Sequence, residues 1–468
     1  MALWQLSAVE QADQIRRGEV SAVEVLESVM ARVDEKNPGL NAIVDDMRDS
    51  ARVAAEAADR AVAAGDALGD LHGVPVTIKV NVDLEGRANN NGLPALNETA
   101  APGDSPIVKN LKGAGAVIIG RTNTPELSMR GTTDNPLYGL THNPWDPVAS
   151  PGGSSGGAGS ACAAGFGAIH HGNDIAGSLR FPATACGVAT VKPGQGRVPA
   201  YNPGATVERT LLAQLMSVQG AICREVRDVR LATEVMARHD PRDPWHTPMP
   251  FVGPPVDGPI HVGVTTESHD YDIHPGIVAN VNKAADILAN AGYAVERIET
   301  PDIREPARAW FSVAIREIKM ALDPVARQYG SKTIQQIFDD YYRMSNMVDG
   351  DGYLAGIADR TRMMRDWNLT MAEYPLVLSP FLMRGGYPTD HDETFEGAKD
   401  LFDSAIWSFG LNYVGFPAGN IPMDLVDGLP SGIQVIGQRW REDLILDAMQ
   451  AIESATGVKA FELWARED

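Results

Sequence analysis

The sequence predicts an α/β protein: a single large domain with a mixed, mostly parallel β-sheet flanked by α-helices on both faces. Three observations carry this. Apolar, β-branched runs such as "GVPVTIKVNVDLEG" (residues 73–86) read as buried strands. These runs alternate with segments of helical period, the pattern of a sheet covered on both sides. The 468 residues, 44 % hydrophobic and 22 % charged, are enough for a large core of ordinary composition.

The elements follow in order. Ser7 with Glu10, and Ser21 with Glu24, each fit a capping box and open two helices; Gly18 separates them, and Asn37-Pro38 is expected to stop the second. An alanine-rich third helix is expected over 52–64. The strand at 73–86 precedes a second, "AGAVIIGRTNTPE" (114–126), that ends in a polar loop. Residues 150–180, "SPGGSSGGAGSACAAGFGAIHHGNDIAGSLR", read as loop, small-residue helix, short strand and turn. Residues 240–259 are dense in proline and form a connection. "IHVGVTTES" is a strand followed by a helix ending near Gly292, and residues 303–370 are largely helical and rich in Trp, Phe, Tyr and Met. "LNYVGFPAGNIPM" and "GLPSGIQVIGQRWREDLILDAMQAIE" read as two strands and a closing helix.

Composition narrows the function. A net charge of −21 without a Lys/Arg cluster argues against nucleic acid and anionic membranes as partners. Cys162, Cys186 and Cys223 lack the spacing of a zinc site or disulfide framework and are expected to be structural. No metal or cofactor is expected. The opening "MALWQLSAVEQADQIRRGEV" lacks the pattern of a signal peptide, and no long apolar run follows, so a cytoplasmic location is expected.

The glycine- and serine-rich stretch at 150–180 fits three chemistries unequally. A phosphate loop needs GK[ST] or the dinucleotide spacing, and neither is present. "GSSGG" matches the G-x-S-x-G elbow around Ser155, but the later histidines from His239 to His391 sit mostly in proline-rich or acidic loops. The third chemistry needs no histidine: a serine activated by a neutral lysine. Only about one lysine in a thousand is neutral near pH 7.4 at the ordinary pKa of about 10.4. Burial lowers that pKa, and Lys79 follows "VPVTI" inside an apolar strand.

"GVPVTIKVNVD", "GRTNTPEL", "SPGGSSGGAGSACAAG", "GNDIAGSLRFPATACGV" and "VKPGQGRV" together resemble the amidase signature family, hydrolases with a Ser–cis-Ser–Lys triad. The resemblance covers roughly residues 70–200. It implies Ser178 as nucleophile, Ser154 as bridging serine after a cis Gly153–Ser154 peptide, and Lys79 as base. It further implies an oxyanion hole from the N–H groups of Ile175, Ala176, Gly177 and Ser178, with Ser155 supporting the cluster. Asp174 and Arg180 would hold the loop as an ion pair, and Leu127, Ser128 and Met129 would line the substrate pocket. Trp310, Phe311, Ile315, Phe338, Tyr341, Met344 and Met347 are expected to cover it. Ala176 stands where the family often has glycine, Val80 where aspartate is common, and Gly194 follows Lys192-Pro193 where threonine is more usual. On this basis the chain divides into an N-terminal helical layer (1–65), a signature core (66–240), a substrate-covering region (241–395) and a return to the sheet (396–468).

The expected activity is hydrolysis of an amide-type bond through a serine acyl-enzyme, the substrate being an aryl amide, carbamate, ester or oligoamide. The partner is then a small-molecule amide, and a homodimer stays open. Two alternatives remain: the glutaminase subunit of a tRNA-dependent amidotransferase, and a non-catalytic binding module.

Overall fold

The computed structural model describes residues 2–466, and among them eleven strands join one sheet. The strands are β1 (Ile43–Asp46), β2 (Pro75–Lys79), β3 (Val117–Thr122), β4 (Ile169–Asp174), β5 (Ala189–Lys192) and β6 (Val218–Cys223). They continue as β7 (His261–Val264), β8 (Ala294–Arg297), β9 (Leu376–Pro380), β10 (Ala418–Pro422) and β11 (Gly432–Gly437). Their order is β1-β3-β2-β4-β6-β5-β10-β11-β9-β7-β8. The sheet is mixed, as expected. Parallel pairing occupies two blocks, β3–β2–β4 and β9–β7–β8, while the centre from β4 through β6, β5, β10 and β11 to β9 is antiparallel.

Alternation along each strand builds a core on each face. Val76 and Ile78 of β2, with Leu376 and Leu378 of β9, pack against the helices Pro106–Gly113, Val226–Met236, Pro275–Asn290 and Glu442–Thr456. On the opposite face, Val117 and Ile119 of β3 meet the helices Ala22–Leu40 and Arg48–Ala64. Val377 of β9 and Ile436 of β11 meet an aromatic cluster carried by helical segments from Arg304 to Glu373 and by the helix Ile406–Val414. Between these lies the helix Gly156–Ala164, "GGAGSACAA", buried along its whole length.

Both capping boxes form as expected, Ser7 with Glu10 and Ser21 with Glu24. The second helix does not stop at Asn37-Pro38. It runs to Leu40 with Pro38 in its last turn and ends where Asn41 turns left-handed at φ 51°. The third helix starts four residues early, at Arg48. "LNYV", read as strand, is the end of the helix Ile406–Val414, whose apolar run is long enough for either structure. The three cysteines are free and buried. Burial pushes the Cys162 thiol up to about 12, and raises those of Cys186 and Cys223 well above the ordinary range.

Candidate active site

Lys79 ends β2, and the strand's alternation sets its direction. Val76 and Ile78 enter the first core, so Thr77 and Lys79 point to the other face, where Lys79 is fully buried. Its Nζ lies 2.7 Å from Ser154 Oγ, 3.0 Å from Ser155 Oγ and 2.9 Å from Asn173 Oδ1. Burial, opposed by the charge of Asp174, holds the Lys79 ammonium well below the usual lysine range. Beneath it the backbone N–H of Lys79 donates to His171 Nδ1 at 3.4 Å, leaving Nε2–H to face Gln219 Oε1 at 2.9 Å. Burial also brings His171 down to about 3, so this imidazole is neutral.

Ser154 and Ser155 lie in the turn that enters the small-residue helix, and the Gly153–Ser154 peptide is cis. A Cβ at Gly153 would stand 2.3 Å from Arg130 O and 2.6 Å from Thr132 O, so only glycine fits that turn. Thr124 Oγ1 donates to Ser154 O at 2.9 Å, and the Ser155 N–H donates to Ser178 O at 3.3 Å. The second contact ties the serine turn to the loop that carries Ser178.

That loop, residues 175–179, leaves the end of β4, which is paired to β2. Asp174 organises it. Oδ1 accepts from Gly177 N–H at 2.7 Å, Asn412 Nδ2 at 2.9 Å and Arg180 Nη2 at 3.1 Å. Oδ2 accepts from Arg180 Nε at 3.0 Å and Leu179 N–H at 3.2 Å. The Asp174 and Arg180 side chains are completely buried, and Arg180 also donates to Gln434 and Asn412. Burial raises the carboxyl's pKa, but Arg180 beside it outweighs this and holds it below the usual range. The loop's carbonyls are pinned from outside: Trp310 Nε1 donates to Ile175 O at 3.2 Å, and Ser408 Oγ to Ala176 O at 2.8 Å. In a trans peptide the next N–H points the opposite way, so pinning the Ile175 carbonyl turns the Ala176 N–H away from Trp310.

One expected oxyanion donor is withdrawn. The Gly177 N–H ends on Asp174, with Gly177 at φ 123°, and is closed to a substrate. Among the described residues, no acceptor takes the N–H groups of Ile175, Ala176 and Ser178. Ser155 does join the cluster, through Lys79.

Ser178 stands on a wall shared by two spaces. One is bounded mainly by Phe181, Trp310, Tyr341, Leu401, Phe402 and Phe409. Its rings meet edge-on, Trp310–Phe409 at 5.1 Å and Phe402–Phe409 at 4.9 Å between centroids. The other is larger and more polar, and includes Ser154, Asn173, Asn81, Asn91, Asn202 and Arg209. Ser128, Met129, Ile175, Ser178 and Trp310 border both, while Leu127 borders only the polar one. Of the residues expected to cover the pocket, Trp310 and Tyr341 line it. Ile315 and Phe338 are fully buried in the aromatic core instead, and Phe311, Met344 and Met347 pack against it.

A network not expected from the sequence links the lysine to the pocket wall. Asn173 Nδ2 donates to Asn81 Oδ1 at 2.9 Å, Asn81 Nδ2 to Ser128 Oγ at 2.9 Å, and Ser128 Oγ to Asn91 Oδ1 at 2.6 Å. The signals were present but weak. Asn81 lies two residues beyond Lys79, and Asn173 immediately precedes Asp174.

Among the described residues no cluster of His, Cys, Asp or Glu could hold a metal ion, and no helix is long and apolar enough to cross a membrane. The family model described as Amidase matches residues 24–446. The chain is 47 % identical to the indoleacetamide hydrolase of Bradyrhizobium diazoefficiens, over 100 % of this chain and 89 % of that protein. It is 31 % identical to a glutamyl-tRNA(Gln) amidotransferase subunit of Moorella thermoacetica, over 97 % of this chain and 98 % of that one. A solved bacterial aryl acylamidase of the amidase signature family superposes with a TM-score of 0.85 at 26 % identity, covering 98 % of both chains. With the family match spanning most of its length and a 47 % relative along all of it, this chain belongs to the amidase signature family and is an amidohydrolase.

Proposed function

We propose that the protein hydrolyses arylacetamide-type amides through an acyl-enzyme on Ser178, with Ser154 relaying protons to and from a neutral Lys79. The observation that carries this is the hydrogen-bond set around the buried lysine amine. A neutral amine has two N–H donors and one lone pair. Asn173 Oδ1 is only an acceptor and takes one N–H. Ser155 Oγ can direct its proton to Asn173 O at 3.4 Å and so takes the other. The lone pair is left for the Ser154 hydroxyl at 2.7 Å. Ser154 then has its own oxygen free to accept from the nucleophile.

In the forward step Ser178 Oγ attacks the carbonyl while its proton passes to Ser154, whose own proton passes to Lys79. The negative oxygen is met by the N–H groups of Ile175, Ala176 and Ser178; removing one such donor costs about 3–4 kcal/mol of transition-state stabilisation. The C–N bond breaks as the amine nitrogen takes the proton back from Ser154, which Lys79 reprotonates. Water then repeats the sequence on the ester, releasing the acid and Ser178.

The proton's source orients the substrate. Ser154 borders only the polar space, so the amine half leaves on that side and the acyl half occupies the aromatic pocket. An aryl group suits those ring edges, and the indoleacetamide hydrolase relative points the same way. The amidotransferase reading is less well supported: its relative is the more distant, and a net charge of −21 suits tRNA poorly. We place the action in the cytoplasm.

The test is intact-mass spectrometry after a fluorophosphonate, with peptide mapping, beside hydrolysis of indole-3-acetamide. One adduct on Ser178, absent from Ser178→Ala and from Lys79→Met, is expected together with turnover. An adduct on Ser155, or turnover by Ser178→Ala, would overturn the assignment.

A further inference from the structure

The polar space is far larger than a primary amide requires. A molecule the size of ammonia or water needs only about 10–15 Å³ for its centre to move in, against about 320 Å³ here. Beyond it opens a second space of about 590 Å³ on the same measure, and Arg209, Asn202, Ser217 and Gln219 border both.

Arg209 is the one cation among the described residues lining the polar space, and among those residues its guanidinium makes no ion pair or hydrogen bond, its backbone carbonyl alone being engaged, by Gln214. The carboxylates that act on it are otherwise engaged. Glu317 accepts from the N–H groups of Leu212 at 2.9 Å and Ala213 at 3.1 Å, and from the Tyr353 hydroxyl. Asp243 accepts from the N–H groups of Ala200 at 2.7 Å and Trp245 at 2.8 Å. Arg209 is exposed at the rim of the cavity, where the lining amides are neutral and its carboxylate, Glu317, is occupied by other donors; a planar guanidinium with five donors in that position is complementary to an incoming carboxylate.

Resting on the orientation argued above, we propose that Arg209 anchors a carboxylate on the amine half of the substrate. The enzyme then cleaves arylacetyl conjugates of amino acids as well as primary amides. The chemistry balances as before: water is consumed, the C–N bond breaks, and the amino acid leaves with the proton delivered through Ser154.

The test uses the full-length protein and phenylacetyl amides of glycine, β-alanine and 4-aminobutyrate, each beside its neutral carboxamide counterpart, with phenylacetamide as reference. At least one acid is expected to be cleaved with kcat/KM tenfold or more above its neutral counterpart. Arg209→Met is expected to collapse that ratio at least tenfold, with Arg209→Lys restoring part of it. Calorimetry on Ser178→Ala gives a readout independent of turnover: the acid binds more tightly than its counterpart, and adding Arg209→Met abolishes the difference. No preference for any acid in either assay, or a preference that survives Arg209→Met, overturns the proposal. If phenylacetamide itself is not hydrolysed while the acids still bind through Arg209, the catalytic reading fails and the anchor stands.

Discussion

Asp174→Asn changes one atom and should disable the loop that carries Ser178. Five donors converge on the carboxylate, three on Oδ1 and two on Oδ2. An asparagine keeps one acceptor oxygen, so in either orientation its NH2 faces at least two donors, and Arg180 loses its buried counter-charge. Breaking a buried pair from one side costs about 3–5 kcal/mol. Unfolding entropy of about 2.1 cal/mol/K per residue over 468 residues makes 1 kcal/mol worth roughly 1 °C, so Tm should fall by about 4 °C. The N–H of Gly177 is freed at the same time, and the neighbouring donors lose their alignment. Misplacing one oxyanion donor costs about 10²–10³ in kcat. The assays are calorimetric melting and steady-state hydrolysis of indole-3-acetamide. A Tm within 1 °C of the parent together with kcat within threefold would refute the claim that Asp174 builds this loop.

Three further outcomes are expected. In the proposed mechanism Lys79 acts unprotonated, and its pKa is depressed, so kcat/KM should rise tenfold per pH unit on the acid side and level off well below pH 10; a limb centred near the ordinary lysine value would contradict a buried neutral base. Trp310→Phe keeps an aromatic ring in the wall but deletes the indole donor to Ile175 O, so kcat should fall about tenfold, the equivalent of one hydrogen bond; a change confined to KM would mean that Trp310 only shapes the pocket. Lys192 is buried, donates among the described residues only to Pro193 O at 3.2 Å, and is held by burial and Arg180 at about 7 rather than 10.5. Its folded pKa lies below its unfolded one, so stability rises with pH between those values. Lys192→Met should flatten that rise and raise stability at pH 7, by on the order of a few kcal/mol; an unchanged pH slope of Tm would argue against it.

Local chemistry was the legible part of this chain. Capping boxes are local, and both formed. Lys79 was readable because a lysine in a β-branched run has few ways to be solvated, and the serine motifs lie close in sequence. What sequence did not disclose depends on chain that returns from far away. Trp310 and Ser408 reach the loop carbonyls from more than a hundred residues downstream. Four backbone donors looked equivalent in "IAGS", and only the fold shows that Asp174 takes one of them. The antiparallel centre of the sheet escaped notice for a related reason: β5 pairs with β10, and β9 with β11, across long insertions. "LNYV" misled because a short buried apolar run carries no period that separates helix from strand.

The buried thiols bear on how this enzyme comes apart. Cys162 rides on the helix behind Ser154, Cys186 ends the helix that follows Ser178, and Cys223 lies on β6 beside β4. Each is shielded and poorly nucleophilic while its element stays packed. An aromatic disulfide reagent added to the native protein therefore acts as a stopwatch for the catalytic core. Three thiols released at one rate would mark a core that opens as a unit; three separate rates would give the order in which its walls give way.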